Sequence, residues 1–307
     1  LFSRVNVSLD WYTRTTKDLL MSKQLNSISG FSSLLTNVGQ MRNTGVELEV
    51  RSNNIKTKDF SWTTAFNLSH NKNKILKLAD LPWFVDGRYV RKEGYPFNTI
   101  YLREYAGVDP ETGSALYYDN QQDENGNYTK NKVTDPGQAS PIPLKDITPT
   151  ISGGFMNTFN YKFIDLSFNL SYSFGGYSYD NASYILQDDG YSVISNKSTE
   201  QRRRWQKPGD ITDVPRFVYG NKKGGNYNSS RAIHSTDHIR LKSLILGLNA
   251  PKAWLQKLGI GNARIYFSGT NLLTWAAYGQ YDPEMSGVVG FYTPPLKTYA
   301  FGLELKF

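Results

Sequence analysis

The chain has 307 residues, with 35 Lys and Arg against 27 Asp and Glu, a net charge of +8 and no cysteine. The lack of cysteine excludes a disulfide scaffold, thiolate metal sites and a cysteine nucleophile. Aromatic residues make up 14%, which argues against disorder, and no apolar run approaches the ~18–20 residues of a transmembrane helix.

The mean hydropathy is negative, yet a membrane barrel hides its apolar surface in alternate positions. The chain opens directly in strand pattern, with no initiator Met, no basic-then-apolar leader and no cleavage site. It is therefore expected to be a processed piece or part of a longer protein. Val5, Val7, Leu9 and Trp11 alternate with Asn6, Ser8, Asp10 and Tyr12. Successive side chains of a strand point to opposite faces, so this pattern predicts one apolar and one polar face. Val46, Leu48 and Val50 against Glu47, Glu49 and Arg51 predict a second strand. Phe60, Trp62, Thr64, Phe66 and Leu68 predict a third. Segments 99–107 and 114–119 alternate less clearly and are read as the fourth and fifth.

Phe155, Phe159, Tyr161 and Phe163 share a parity, with Asn157 among them. Leu166, Phe168, Leu170, Tyr172 and Phe174 alternate with Asp165, Ser167, Asn169, Ser171 and Ser173. Ile239 and Leu241 have the opposite parity to Leu244, Leu246 and Leu248, which predicts a β-bulge near Lys242 and Ser243. Ile265 and Phe267 continue into Gly269 and Asn271. Last come Tyr299, Phe301, Leu303, Leu305 and Phe307, set against Ala300, Gly302, Glu304 and Lys306; the aromatic end reads as a native terminus.

Ten strands leave nine connections. Segments 13–41, 70–96, 120–149, 175–236 and 273–297 are long, and 53–58, 108–113, 162–163 and 249–261 are short. Long and short alternate, as in an up-and-down meander with short turns at one end and long external loops at the other. Strands of about ten residues suit a tilted bilayer crossing. The fold class expected is all-β: an antiparallel up-and-down transmembrane β-barrel segment. Glu47, Glu49, Arg51, Asp165, Asn169 and Glu304 would then face a wet lumen. A soluble β-sandwich also alternates, but loops of about 25 residues are uncommon in compact soluble domains.

Catalytic chemistry finds little support. His234 and His238 have i, i+4 spacing, but on strands and loops this does not bring them to one face, and no HExxH follows. Segment 119–132 resembles a calcium loop until Gly126 is aligned to the obligatory glycine. Gln121 and Lys132 then occupy positions that need acidic groups. An irregular calcium loop is the one cofactor the sequence allows; a plain polar external loop is the simpler expectation. Glu47 and Glu49, or Asp188 and Asp189, could form a carboxylate pair, but lumen-lining charge accounts for the first pair more simply. There is no G-x-S-x-G elbow, Walker loop or dinucleotide fingerprint. No enzyme is expected. Arg202-Arg203-Arg204-Trp205, with Lys222, Lys223 and Arg231, is basic enough to raise nucleic acid. On a barrel the same charges suit lipopolysaccharide phosphates or an acidic partner, and nucleic acid is not expected.

Several segments together resemble the SusC-like TonB-dependent transporters. They are Asn43-Thr44-Gly45-Val46-Glu47-Leu48-Glu49, the strand from Phe60 to Ile75, Tyr105-Ala106-Gly107-Val108-Asp109-Pro110-Glu111-Thr112-Gly113, and Asp146-Ile147-Thr148-Pro149 with Gly153-Gly154-Phe155. Further on come Arg204-Trp205-Gln206-Lys207-Pro208-Gly209-Asp210, Asp237-His238-Ile239-Arg240-Leu241-Lys242, Gly269-Thr270-Asn271-Leu272 and Tyr281-Asp282-Pro283-Glu284. The resemblance covers nearly the whole chain. It implies a 22-stranded barrel filled by an N-terminal plug, uptake of oligosaccharides or peptides powered through TonB, an outer-membrane location and a SusD-like surface lipoprotein. Residues 1–307 then correspond to the C-terminal portion of that barrel. The plug, the TonB-contacting segment and the first half of the barrel are not in the chain and are expected on remaining polypeptide.

External loops are where ligand contacts concentrate. Trp83, Tyr89, Tyr191, Trp205, Tyr227 and Tyr292 are the candidates for contact with substrate or lid, because aromatic faces stack on sugars and peptide side chains. Trp11, Trp62, Trp254 and Trp275 lie near strand ends and suit an interfacial belt. A soluble glycan-binding module and a passive porin are the alternative functions.

Overall fold

A computed structural model describes residues 4–25, 27–31, 33–78, 81–221, 228–256 and 259–307. Its main feature is one antiparallel sheet of eight strands, in which each strand pairs with its neighbour along the chain. The wall strands are β1 (Val5–Gln24), β2 (Ser33–Lys56), β3 (Phe60–Leu78), β4 (Ile151–Tyr161), β5 (Ile164–Phe174), β6 (His238–Asn249), β7 (Asn262–Ala276) and β8 (Thr298–Lys306). The order is a simple meander.

The expectation of ten crossing strands is corrected to eight. Segments 99–107 and 114–119 fold as short strands inside the connection between β3 and β4, in two small sheets of their own. Alternation over four or five residues cannot separate a crossing strand from a loop strand, because both bury one face. The long–short alternation survives the change. Segments 57–59, 162–163 and 250–261 form one end, and 25–32, 79–150, 175–237 and 277–297 form the other.

Connection 13–41 also differs from expectation: β1 and β2 run on through it as a paired ribbon up to Gln24 and Ser33. At about 3.3 Å per residue, such strands extend well past the roughly ten residues a bilayer needs. The apolar alternation stops where the ribbon leaves that zone, at Thr13, Arg14, Thr15 and Thr16.

Register sorts the side chains onto two faces. Leu9 lies opposite Leu48, which lies opposite Leu68, and Phe66 opposite Phe155 and Phe155 opposite Leu170 continue the apolar face. Asp10 opposite Glu47 and Glu47 opposite Ser69 continue the polar one. The expected bulge is present between Leu241 and Ser243. It inserts Lys242, so Ile239 and Leu241 before it and Leu244, Leu246 and Leu248 after it all share the apolar face. Glycine is required where a polar-face tyrosine lies across the next strand. A Cβ at Gly45 would strike the Tyr12 ring, and one at Gly302 the Tyr266 ring.

The packed hydrophobic clusters are not in the bilayer-length part of the wall. One forms at the end of β3 and the ribbon (Met21, Ile75, Leu78). The other two lie in the long connections: Ile100, Leu102, Tyr179 and Ala232, then Ala115, Tyr117 and Ala139. The wall keeps its apolar side chains outward, with Trp11 68% and Phe301 82% exposed. No helix among the described residues is long and apolar enough to cross a membrane.

Candidate functional site

The polar face of the wall carries all six residues expected to line a lumen. Asp165 and Glu304 are brought together by Arg264, whose guanidinium donates to Asp165 at 2.8 Å and lies 3.6 Å from Glu304. Asn249 also donates to Asp165, at 2.8 Å. Glu49 pairs with Arg51 at 2.6 Å, and Glu47 accepts from Ser69 at 3.5 Å. Asn169 sits opposite Met156 and Ser243 on the same face.

Toward the long-loop end, this face opens into a cavity of about 590 Å³. Its floor includes Arg240, Thr274 and Ala276 of the wall, and its roof comes from connection 277–297 with Tyr281, Asp282 and Tyr292. Charge holds the roof down. Arg240, 2% exposed, donates to Asp282 at 2.6 Å and to Glu284 at 3.1 Å. Lys242, the bulge residue, reaches Glu284 at 2.6 Å. Both cations find their carboxylates in the next long connection, so the charge of the polar face is paired at this point.

Beside the cavity, Asp180 accepts from Ser183 at 2.5 Å and from Tyr278 at 3.0 Å. Tyr281 bonds the Ser178 hydroxyl. The His234 ring stacks flat on Tyr278, centroids 3.7 Å apart. Burial pushes the Tyr278 and Tyr281 phenols up and holds His234 below its usual value, with Asp180 opposing the latter. His238 sits apart, donating from Nδ1 to the Thr236 carbonyl at 2.7 Å. The two histidines thus share no site, and among the described residues no group of three or more metal-ligating side chains converges.

The loop aromatics separate into two groups. Tyr292 and Trp83 are exposed and each lines a cavity, and Tyr191 is exposed. Tyr89 instead packs against the Ile100–Leu102 cluster. Trp205 covers Gly113, and its indole N–H donates to the Pro110 carbonyl at 2.8 Å, tying two turns together. Tyr227, Lys222 and Lys223 lie outside the described residues. In the calcium-like segment, Asp123 accepts from the backbone of Asn125 and Asn127, and Asp119 from Thr129 and Asn131. Those donors hold the carboxylates in turns and lower their proton affinity.

Sequence reading missed the Arg240–Asp282–Glu284 clamp and a second buried pair. Asp189 is fully buried between Arg231, at 2.5 Å, and Gln201, at 2.9 Å. A charged residue amid Ile239, Leu241 and Leu244 was the available signal for Arg240.

A sheet with an outward apolar face, an inward polar face and all its long connections at one end defines the wall of an outer-membrane type β-barrel. No family model matches the chain. It is 33% identical to the TonB-dependent receptor P3 of Formosa agariphila, over 99% of this chain and 32% of that protein. It is 28% identical to the TonB-dependent receptor SusC of Bacteroides thetaiotaomicron, over 100% of this chain and 30% of that one. The solved RagAB peptide transporter superposes with a TM-score of 0.88 at 31% identity, covering 99% of this chain and 34% of the matched one. Over nearly its whole length the chain is thus homologous to TonB-dependent receptors, SusC among them, and it spans about a third of the length of these relatives.

Proposed function

We propose that this chain is the C-terminal part of the barrel of a TonB-dependent importer that carries an oligosaccharide or a peptide across the outer membrane. It supplies wall, lumen surface and external loops. A plug and the remaining strands belong to further polypeptide, which also meets the TonB complex. A SusD-like lipoprotein covers the loops, and the apolar face meets lipid and lipopolysaccharide. No catalytic, cofactor or nucleic-acid role is part of this reading. The observation that carries it is the sorting of the eight strands into an exposed apolar face and a charged inner face, in a chain homologous to named receptors over nearly its whole length.

Uptake of labelled oligosaccharide and peptide pools by cells carrying the whole receptor tests it. Accumulation should require both the receptor and TonB. Accumulation that persists without TonB would replace the importer with a passive pore.

A further inference from the structure

The connection between β3 and β4 builds a cleft of its own, lined by residues of that connection alone. Four short strands form a sheet in the order Ile142–Asp146, Thr99–Leu102, Tyr89–Lys92, Trp83–Asp86. Register sorts this sheet too. Ile100 and Leu102 point into the buried cluster. On the opposite face, Trp83 pairs with Lys92, Val90 with Thr99, and Tyr101 with Pro143. That second face is the floor of a cavity of about 460 Å³, a size common for small-molecule sites.

The rim comes from the segment that resembled a calcium loop. Asp123 holds the 123–127 turn by accepting from two backbone amides. The bridge between Gln122 and Tyr128 then presents both over the floor. The Trp83 and Tyr101 rings lie 6.0 Å apart at 48°, an open V of two aromatic faces. Trp83 is 45% exposed. Among the described residues, the polar tips of Trp83, Tyr101, Tyr128 and Gln122 make no side-chain hydrogen bond within the chain. The lining contains no carboxylate, and its one cation, Lys92, leans over the Tyr95 ring at 5.0 Å.

We infer that this cleft binds a neutral sugar unit, stacked on Trp83 and Tyr101, with its hydroxyls bonded by Tyr128 and Gln122. A pyranose offers an apolar ring face and a circumference of hydroxyls, matching two aromatic faces ringed by unengaged donors and acceptors. A cationic ligand would find no counter-charge. The floor presents a sheet face, so side chains rather than a row of backbone groups meet the ligand. The inference rests on the import reading only in taking this connection to face outward.

The test is titration of the whole receptor in detergent with maltohexaose, cellohexaose and xylohexaose, using hexaalanine as the peptide control. At least one hexaose should bind. Trp83→Ala should weaken it about tenfold or more, the size of a well-stacked aromatic contact. Trp83→Phe should retain most of the affinity, and Tyr128→Phe, which removes only a hydroxyl, should lower it. Binding of none of the three sugars, sugar binding unchanged in Trp83→Ala, or displacement of sugar by hexaalanine would each overturn the inference. TonB-dependent uptake is scored separately, so import can fail while the cleft binds, and the reverse.

Discussion

Asp189 is the clearest single-residue anchor among the long loops. Its carboxylate is fully buried and accepts two hydrogen bonds from Arg231 and one from Gln201. Removing one member of a buried pair leaves an uncompensated charge, typically at about 3–5 kcal/mol. Asp189→Asn should therefore loosen connection 175–237 by that order, read as faster limited proteolysis there with the wall unchanged. His234 gives a pH-dependent counterpart. Burial lowers its proton affinity below the ordinary value of 6.5, so the unfolded loop binds the proton more readily. No penalty exists above pH about 6.5; it grows as pH falls through that value toward the folded one. Amide protection factors at Tyr177–Asp180 and Ile233–Ser235, taken relative to the intrinsic exchange rate at each pH, should fall from pH 7.5 to 5.5. In His234→Phe, which keeps a ring against Tyr278, this fall should vanish.

At the scale of the element, period-two alternation made the wall legible from sequence. It marked the bilayer-length part of all eight strands, and the parity switch at Lys242 marked the bulge. It failed where strands left the membrane zone, because residues 13–24 no longer need one greasy face. It failed again at 99–107 and 114–119, which are strands of a loop. Candidate residues were legible only by type and place. Trp83 stood out as a loop aromatic, but its partners Tyr101 and Tyr128 depend on a sheet face that no local pattern reveals. Arg240 and Glu284 meet across 44 positions of sequence. The bulge itself can be tested. Deleting Lys242 removes the extra residue and leaves Ile239, Leu241 and the three leucines after them in unbroken alternation, so the apolar face survives and the whole receptor should still insert. Inserting one alanine between Leu246 and Gly247 instead turns the end of β6 onto the wrong face, and the whole receptor with this insertion should be lost from the outer-membrane fraction. Lys242→Ala keeps the register and removes one half-exposed ion pair, typically worth about 0–1 kcal/mol, and should insert normally.

The whole molecule poses a problem of closure. Strands β1 and β8 end the sheet, and among the described residues they do not pair with each other. Each leaves a row of backbone N–H and C=O groups on its outer edge. In hydrocarbon an unsatisfied backbone group costs several kcal/mol, so an open edge cannot persist in a bilayer. The exposed apolar side chains of β1 and β8 exclude the opposite escape into water, since Leu9, Trp11, Phe301 and Leu303 would all be wetted. Only further strands on both edges satisfy the two demands together. Mass spectrometry of detergent-extracted membranes should then find these sequences joined to, or copurifying with, polypeptide that supplies those strands, and a surface lipoprotein with them. Recovery of the 307-residue chain alone, monodisperse without detergent, would mean that the apolar faces find each other instead, and a soluble β-module would replace the barrel wall.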